Sequence, residues 1–241
     1  RRAGVLRPLS EGINTMAAGL ASNEAMLRER VEQATEELRQ QKEQAEHKAR
    51  TDPLTGVPNR RAFTELARVE IERALRFGQP LVLIAIDLDH FKSINDGHGH
   101  AVGDAVLVDF TTLVQAQLRV IDQLARIGGE EFVLLLPGTD AKGAYQVAER
   151  IRRLLEQRAL PIPGGTLRYT SSFGVAELEP QHPGLDRWLA RADAALYAAK
   201  GAGRGQHVLY EAAMGERSRR RAAVEAGLRL AIERGELALH W

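Results

Sequence analysis

Asp87 and Asp89 directly follow the apolar run Leu81-Val82-Leu83-Ile84-Ala85-Ile86, and the carboxyl end of a buried strand is where α/β folds commonly hold ligands and metals. Taken alone, the pair reads as a helix cap, with Asp89 ahead of His90-Phe91-Lys92. Gly128-Gly129-Glu130-Glu131 shifts that balance. Two glycines make a tight hairpin, and two adjacent acids at its tip repel each other unless a cation lies between them. An ordinary solvated turn is the competing reading. If the two strands are neighbours, Asp87 joins Glu130 and Glu131 in a hard-oxygen cluster suited to Mg2+. A triphosphate would also need cations, and the candidates are Lys92, Lys200 and Arg204, the last two interleaved with Gly201, Gly203 and Gly205. Glycine-rich, cationic helix ends are equally common without a ligand. Asn95 and Asp104 flank Gly97-His98-Gly99-His100. Their donors and acceptors could match the N1, N2 and O6 edge of a guanine, although on their own they read as a turn residue and a solvated helix residue.

These side chains need elements to carry them. Residues 60–77 have a helical pattern, 81–86 read as a buried strand ending at Asp87, and 101–118 as a helix. A short strand over 123–127 turns at Gly128-Gly129 into Phe132-Val133-Leu134-Leu135-Leu136, a hairpin. Residues 141–157 read as helix, 167–176 as strand, 185–200 as helix and 207–210 as an edge strand. Helices alternating around a central hairpin imply an α/β sandwich, a mixed sheet with covering helices. Ahead of it, Ile13, Met16, Leu20, Leu27, Val31, Ala34, Leu38 and Ala45 follow a four-three spacing interrupted by polar Glu24 and Gln41. Such a seam predicts a long N-terminal helix that pairs with a second copy as a parallel coiled coil. Pro53, Gly56 and Pro58 break that helix at residues 51–59. After Glu211 an amphipathic pattern runs through Val224, Leu228, Leu230 and Ile232 to the strand-like Leu237-Ala238-Leu239-His240-Trp241.

Composition narrows the function classes. The 241 residues carry 33 Lys+Arg against 32 Asp+Glu, a formal charge of +1, so no global field marks a nucleic-acid or membrane binder and any anion site is local. The absence of cysteine excludes disulfides, thiolate metal sites and cysteine nucleophiles, and fits a reducing compartment. Aromatics at 5% argue against base-stacking platforms. No run is long and apolar enough to span a bilayer. The start, Arg1-Arg2-Ala3-Gly4, has neither a signal-peptide apolar region nor an initiator Met, and the expectation is a piece of a longer protein.

Several motifs in one order then carry a family resemblance over residues 51–210. Asp52-Pro53-Leu54-Thr55-Gly56-Val57-Pro58-Asn59-Arg60-Arg61, Asp87-Leu88-Asp89-His90-Phe91-Lys92-Ser93-Ile94-Asn95-Asp96, Gly103-Asp104, Arg126-Ile127-Gly128-Gly129-Glu130-Glu131-Phe132 and Ala194-Ala195-Leu196-Tyr197-Ala198-Ala199-Lys200 resemble the GGDEF-domain diguanylate cyclases. The resemblance implies a palm-like fold of the nucleotidyl cyclase type and a transferase that condenses two GTP into cyclic di-GMP and two pyrophosphates. Carried over by position, Asp87, the Leu88 carbonyl, Glu130 and Glu131 would hold Mg2+ or Mn2+, and Glu130 would be the base for the 3′-hydroxyl. Asn95 and Asp104 would read guanine. Phe91, Lys92, Lys200 and Arg204 would bind the rest of the substrate. Gly205 stands where the family usually has Asn.

The resemblance implies further parts. One site holds one GTP, so activity requires a homodimer, and residues 1–50, with a HAMP-like stretch around Ile13-Asn14-Thr15-Met16-Ala17, would form the signalling helix that tethers it. Residues 51–59 would be the linker, 60–210 the catalytic domain and 211–241 the start of a truncated EAL phosphodiesterase domain. Arg119 and Asp122 match the family's RxxD site for product inhibition, with Arg150 joining from a second domain; a surface salt pair is the plain alternative. The expected location is the cytoplasm, on the inner side of a membrane that anchors the parent protein, with no nucleic-acid partner. The rival function is a non-catalytic GTP or cyclic di-GMP receptor controlling a downstream EAL phosphodiesterase, and the undamaged 128–132 signature favours catalysis.

Overall fold

The computed structural model describes residues 16, 26–28, 30–42, 46, 48–217, 224, 232 and 234. They fall into two compact units, residues 1–49 and 50–241. In the first, residues 30–42 are helical and solvent-facing. Leu27, Val31 and Leu38 of the expected seam are 62%, 62% and 67% exposed, an apolar stripe that nothing among the described residues of that unit covers. Most of the HAMP-like stretch, the other seam positions Ile13, Leu20 and Ala45, and the strand-like 237–241 lie outside the described residues.

The second unit is a five-stranded sheet clad on both faces. Its strands are β1 (Leu81–Leu88), β2 (Gln123–Arg126), β3 (Glu131–Pro137), β6 (Ser171–Glu177) and β7 (His207–Leu209), in the order β2-β3-β1-β6-β7. β1 runs antiparallel to both β3 and β6, whereas β7 joins the edge parallel to β6. Alternation along β1 sorts the layers. Val82, Ile84, Ile86 and Leu88 pack under α2 (Phe91–His98), α3 (His100–Gln115) and α4 (Ala141–Gln157). Leu81, Leu83 and Ala85 pack under α1 (Arg60–Phe77) and α5 (Leu185–Gly201). The same alternation sends Asp87 to the α1/α5 side.

Local chemistry sets the element ends. Asn59 caps α1 by accepting from the Ala62 amide, and Gly78 ends it in the left-handed region at φ 61°. Asp140 caps α4 through the Gly143 amide. α5 lies directly on β6, where a Cβ at Gly174 would sit 2.1 Å from the Ala192 carbonyl and 2.2 Å from the Leu196 amide. Glycine there lets the helix that carries Lys200 approach the sheet backbone.

The structure corrects three expectations. α2, whose start alone the Asp89 cap reading implies, shows no extent in the sequence because only Phe91 and Ile94 of its eight residues are buried, too few turns to show a period. The strand expected over 167–176 divides. Gly165–Leu167 (β5) pairs with Leu160–Ile162 (β4) in a separate two-stranded arm, and β6 starts at Ser171. Asp89 does not cap α2. The N-cap is His90, with φ 57° and no side-chain cap bond. Asp89 is 3% exposed and accepts from Thr170 Oγ1, Ser172 Oγ and the Gly205 amide, at 2.8, 2.8 and 2.9 Å.

Candidate active site

The antiparallel register of β1 and β3 places Asp87 directly opposite Glu131, and the Leu88 amide donates to the Glu130 carbonyl at 3.2 Å. The end of β1 and the Gly-Gly hairpin are thus hydrogen-bonded neighbours, as the cluster requires. Lys200, from the last turn of α5, closes the third side with Nζ 2.7 Å from Asp87 Oδ2. Burial pushes the Asp87 carboxyl above its usual range. The Lys200 ammonium opposes that rise, and the charges of Glu130 and Glu131 add to it.

Three carboxylates and a strand-end carbonyl are the hard oxygen donors a magnesium-type ion takes, and their mutual repulsion is what such an ion relieves. Among the described residues, however, no three His, Cys, Asp or Glu side chains are already gathered tightly enough to hold an ion. The donor set fits such an ion in kind.

The hairpin is held from outside. The Ile127 and Gly128 amides both donate to the Glu131 carbonyl, at 2.9 and 3.3 Å. Arg126 grips the Gly129 carbonyl through Nε at 3.0 Å and Nη2 at 2.8 Å, and its Nη1 meets Asp52 Oδ1 at 2.9 Å. Asp52 also accepts from the Thr55 amide and hydroxyl, so the 51–59 joint is tied to the hairpin by one guanidinium. A Cβ on Gly128 would lie 2.2 Å from Glu131 Oε2, whereas one on Gly129 would meet nothing within 4 Å. The first glycine is explained by the Glu131 carboxylate folding across it.

The remaining candidates divide. Asn95 Oδ1 would lie 1.9 Å from a Cβ on Gly103, so Asn95 rests on the α3 backbone next to Asp104, and the α2–α3 corner at Gly99 (φ 85°) brings the two together. Phe91 is 8% exposed with its ring in the core, which leaves its backbone as the part able to meet a ligand. Lys92 is exposed on α2. Arg204 is exposed too, at φ 63°. Gly205 has φ 58°, a conformation that Asn also tolerates, and its amide bond to Asp89 joins the segment after α5 to the end of β1. Asp193, one face of α5 up from Lys200, escaped the sequence reading. Its carboxyl is pushed up by burial and then by Glu131, with Arg60 and Lys200 opposing. Its seven-residue spacing from Lys200 is the signal that could have found it.

A second cluster lies at Arg119 and Asp122. Arg119 Nη2 meets Asp122 Oδ1 at 2.8 Å, and the Arg119 amide and Nε donate to Oδ2 at 2.9 and 3.1 Å. Arg150 Nη2 donates to the Gln117 carbonyl at 2.9 Å, which brings this helix to the same turn. The plain salt-pair reading describes the geometry as it stands.

Comparison with known proteins gives one family. A family model described as diguanylate cyclase, GGDEF domain, matches residues 49–206. The diguanylate cyclase DgcP of Pseudomonas aeruginosa is 39% identical over 201 residues, covering 83% of this chain and 28% of its own. The probable diguanylate cyclase DgcC of Escherichia coli is 43% identical over 169 residues, 67% of this chain and 45% of its own. The chain therefore spans less than half the length of these relatives. Among solved structures, the coiled coil and GGDEF domain of DgcB from Caulobacter crescentus in complex with c-di-GMP superposes with a TM-score of 0.73 at 32% identity, covering 78% of this chain and 99% of that one.

Proposed function

Because the chain belongs to the GGDEF diguanylate cyclase family, we propose that it condenses two GTP molecules into cyclic di-GMP with release of two pyrophosphates. The observation that carries this reading is the meeting of Asp87, Glu131 and Lys200 in one corner, with Asp87 opposite Glu131 in register and 2.7 Å from the Lys200 ammonium. In this reading Asp87, the Leu88 carbonyl, Glu130 and Glu131 hold Mg2+ or Mn2+. Bound there, such ions would neutralise phosphate charge and stabilise the attacking and leaving oxygens of an in-line displacement. Glu130 takes the proton of the 3′-hydroxyl. The 3′-oxygen attacks the α-phosphorus, and the bond to the pyrophosphate oxygen breaks. Lys200 carries three donors, so it can keep Asp87 and still meet a phosphate oxygen, alongside Lys92, Arg204 and the Phe91 amide. Asn95 and Asp104 read the guanine edge.

One domain supplies one nucleotide site, so the second GTP is presented by a second protomer. The exposed Leu27, Val31 and Leu38 stripe is the surface we assign to pairing of the N-terminal helices. Such a tether gives an effective concentration on the order of mM. Arg119, Asp122 and Arg150 form the site we assign to product feedback, where the guanidinium groups would grip phosphate and guanine bidentately once Arg119 gives up Asp122. No described helix is long and apolar enough to cross a membrane. We place this region in the cytoplasm of a membrane-anchored parent whose 211–241 segment opens an EAL domain. The test is direct: the purified protein, confirmed dimeric, is incubated with GTP and Mg2+, and cyclic di-GMP and pyrophosphate are quantified. Both products should form and both should vanish in Glu130→Gln at unchanged melting temperature. Absence of product from the wild-type dimer would refute the proposal.

A further inference from the structure

The turn that carries Glu130 is opened by two glycines, Gly128 and Gly129. Neither takes a left-handed φ, and glycine adds no side-chain restriction of its own, so the hydrogen bonds around this turn are what hold its position. Inside the hairpin those bonds run from the Ile127 and Gly128 amides to the Glu131 carbonyl. The carbonyls of Ile127 and Gly129 bond outward, and each meets a guanidinium. Arg126 takes Gly129. Arg60 takes Ile127, its Nε donating at 3.0 Å across 67 positions of sequence.

Arg60 has a firm base for that contact. It is the first residue of α1, directly after the Asn59 cap. Asn59 bridges β2 at Arg126 in parallel, and the Arg126 amide donates to the Pro58 carbonyl at 2.9 Å. α1 is in turn anchored to the sheet by Phe63, Ala67, Ile71 and Ala74, all buried. The Arg60 charge also opposes the upward push that burial and Glu131 give the Asp193 carboxyl. Moving the end of Arg60 would therefore shift the Ile127 carbonyl and, through the bonds that close the hairpin, the Glu130–Glu131 pair against Asp87.

We propose that Arg60 is a positioning residue for the catalytic hairpin, clamping the Ile127 carbonyl so that Glu130 and Glu131 stand at working distance from Asp87. The inference rests on the roles given to those acids above. A misplacement of about 1 Å at reacting groups can cost as much as a hundredfold in rate, and loss of one exposed clamp of two should cost about tenfold. The effect belongs in kcat, because Arg60 touches no group assigned to GTP.

The experiment compares Arg60→Met, which keeps the apolar stem and removes the donor, with Arg60→Lys, which keeps a charged donor, and with Arg61→Met as a neighbouring control. Steady-state kinetics with GTP and Mg2+ are measured beside amide spectra of protein labelled with 15N-glycine, recorded without metal or nucleotide. The expected result is about a tenfold fall in kcat for Arg60→Met, with KM within about twofold, and shifted Gly128 and Gly129 signals. Arg60→Lys should recover part of the loss, and Arg61→Met should match wild type. Wild-type kcat in Arg60→Met, a change confined to KM, or unmoved glycine signals would overturn the proposal. Should Arg60→Met fail to fold, Arg60→Lys against wild type decides it by the same two readouts. If wild type makes no product, the cyclase reading falls, and the glycine spectra still decide the clamp.

Discussion

Arg126 is the point at which the linker and the candidate hairpin share one side chain, and its removal should be felt in both. The Arg126 and Asp52 side chains are 14% and 18% exposed, so their ion pair is only weakly screened. A hydrogen bond to a charged partner contributes about 1.5–3 kcal/mol. Asp52 keeps both Thr55 donors when Arg126 is lost, which places Arg126→Met near about 2 kcal/mol by the same scale. For a domain of this size that lowers the melting temperature by roughly 4–8 °C. The pH dependence has a definite sign. Burial by itself would raise the Asp52 carboxyl, but Thr55 and Arg126 together outweigh it and hold it below the usual aspartate range. The pair therefore stabilises the fold above the ordinary aspartate value and loses that contribution as pH falls through the lowered one. Wild type and Arg126→Met should converge in acid. A double-mutant cycle with Asp52→Asn isolates the pair, and the coupling energy should be about 1–2 kcal/mol at neutral pH. Asp52→Asn leaves the Gly129 grip in place and should keep most GTP turnover, whereas Arg126→Met should lose it. A coupling energy near zero, or equal turnover loss in the two single variants, would refute the reasoning.

Gly128→Ala should displace the Glu131 carboxylate, since the new methyl would lie 2.2 Å from Oε2; turnover should fall about tenfold or more while melting barely moves, because a side-chain end gives way cheaply. Gly129→Ala meets no atom of the chain within 4 Å, so a loss of turnover at unchanged stability would report contact with nucleotide or partner, measured by the same GTP assay. Arg119→Ala should relieve inhibition by added cyclic di-GMP without changing initial rates, and unchanged inhibition curves would exclude the Arg119–Asp122 turn as the feedback site. The His207 side chain on β7 is 8% exposed, with neither ring nitrogen hydrogen-bonded. Glu149 lies 3.5 Å from its Nδ1, and Tyr145 is edge-on. Burial, then Arg152, push its imidazole below the usual range while Glu149 opposes. Its contribution is therefore present above the ordinary histidine value and lost as pH falls through the depressed one. His207→Phe should flatten the loss of melting temperature between about pH 7 and 5, and an unchanged slope would count against it.

Much of the candidate site was legible because its parts are local. The apolar run into Asp87, the Gly-Gly break and the tail from Lys200 to Arg204 each declare themselves within a few residues. The sandwich followed from alternation and period, and β1, β3 and α5 stand close to where the pattern put them. What escaped had too little sequence to show a period, as in α2, or depended on distant partners. Asp89 looked like a cap by position, yet the bonds that occupy it come from Thr170, Ser172 and Gly205, more than 80 residues away in sequence. Arg60 carried no local signal, because its meaning lies in the Ile127 carbonyl, and Asp193 offered only its spacing from Lys200, with the Glu131 charge coming from elsewhere in the chain.

Sequence by itself determined which groups could do chemistry here: the hard-oxygen acids, the cations and the glycines are properties of residue type and spacing. Only the tertiary structure decided that they meet, because the antiparallel register sets Asp87 against Glu131, and a glycine at 174 lets α5 sink onto the sheet until Lys200 reaches Asp87. Strand register and helix approach are settled by burying both faces of one sheet, a condition that no local stretch of the chain contains.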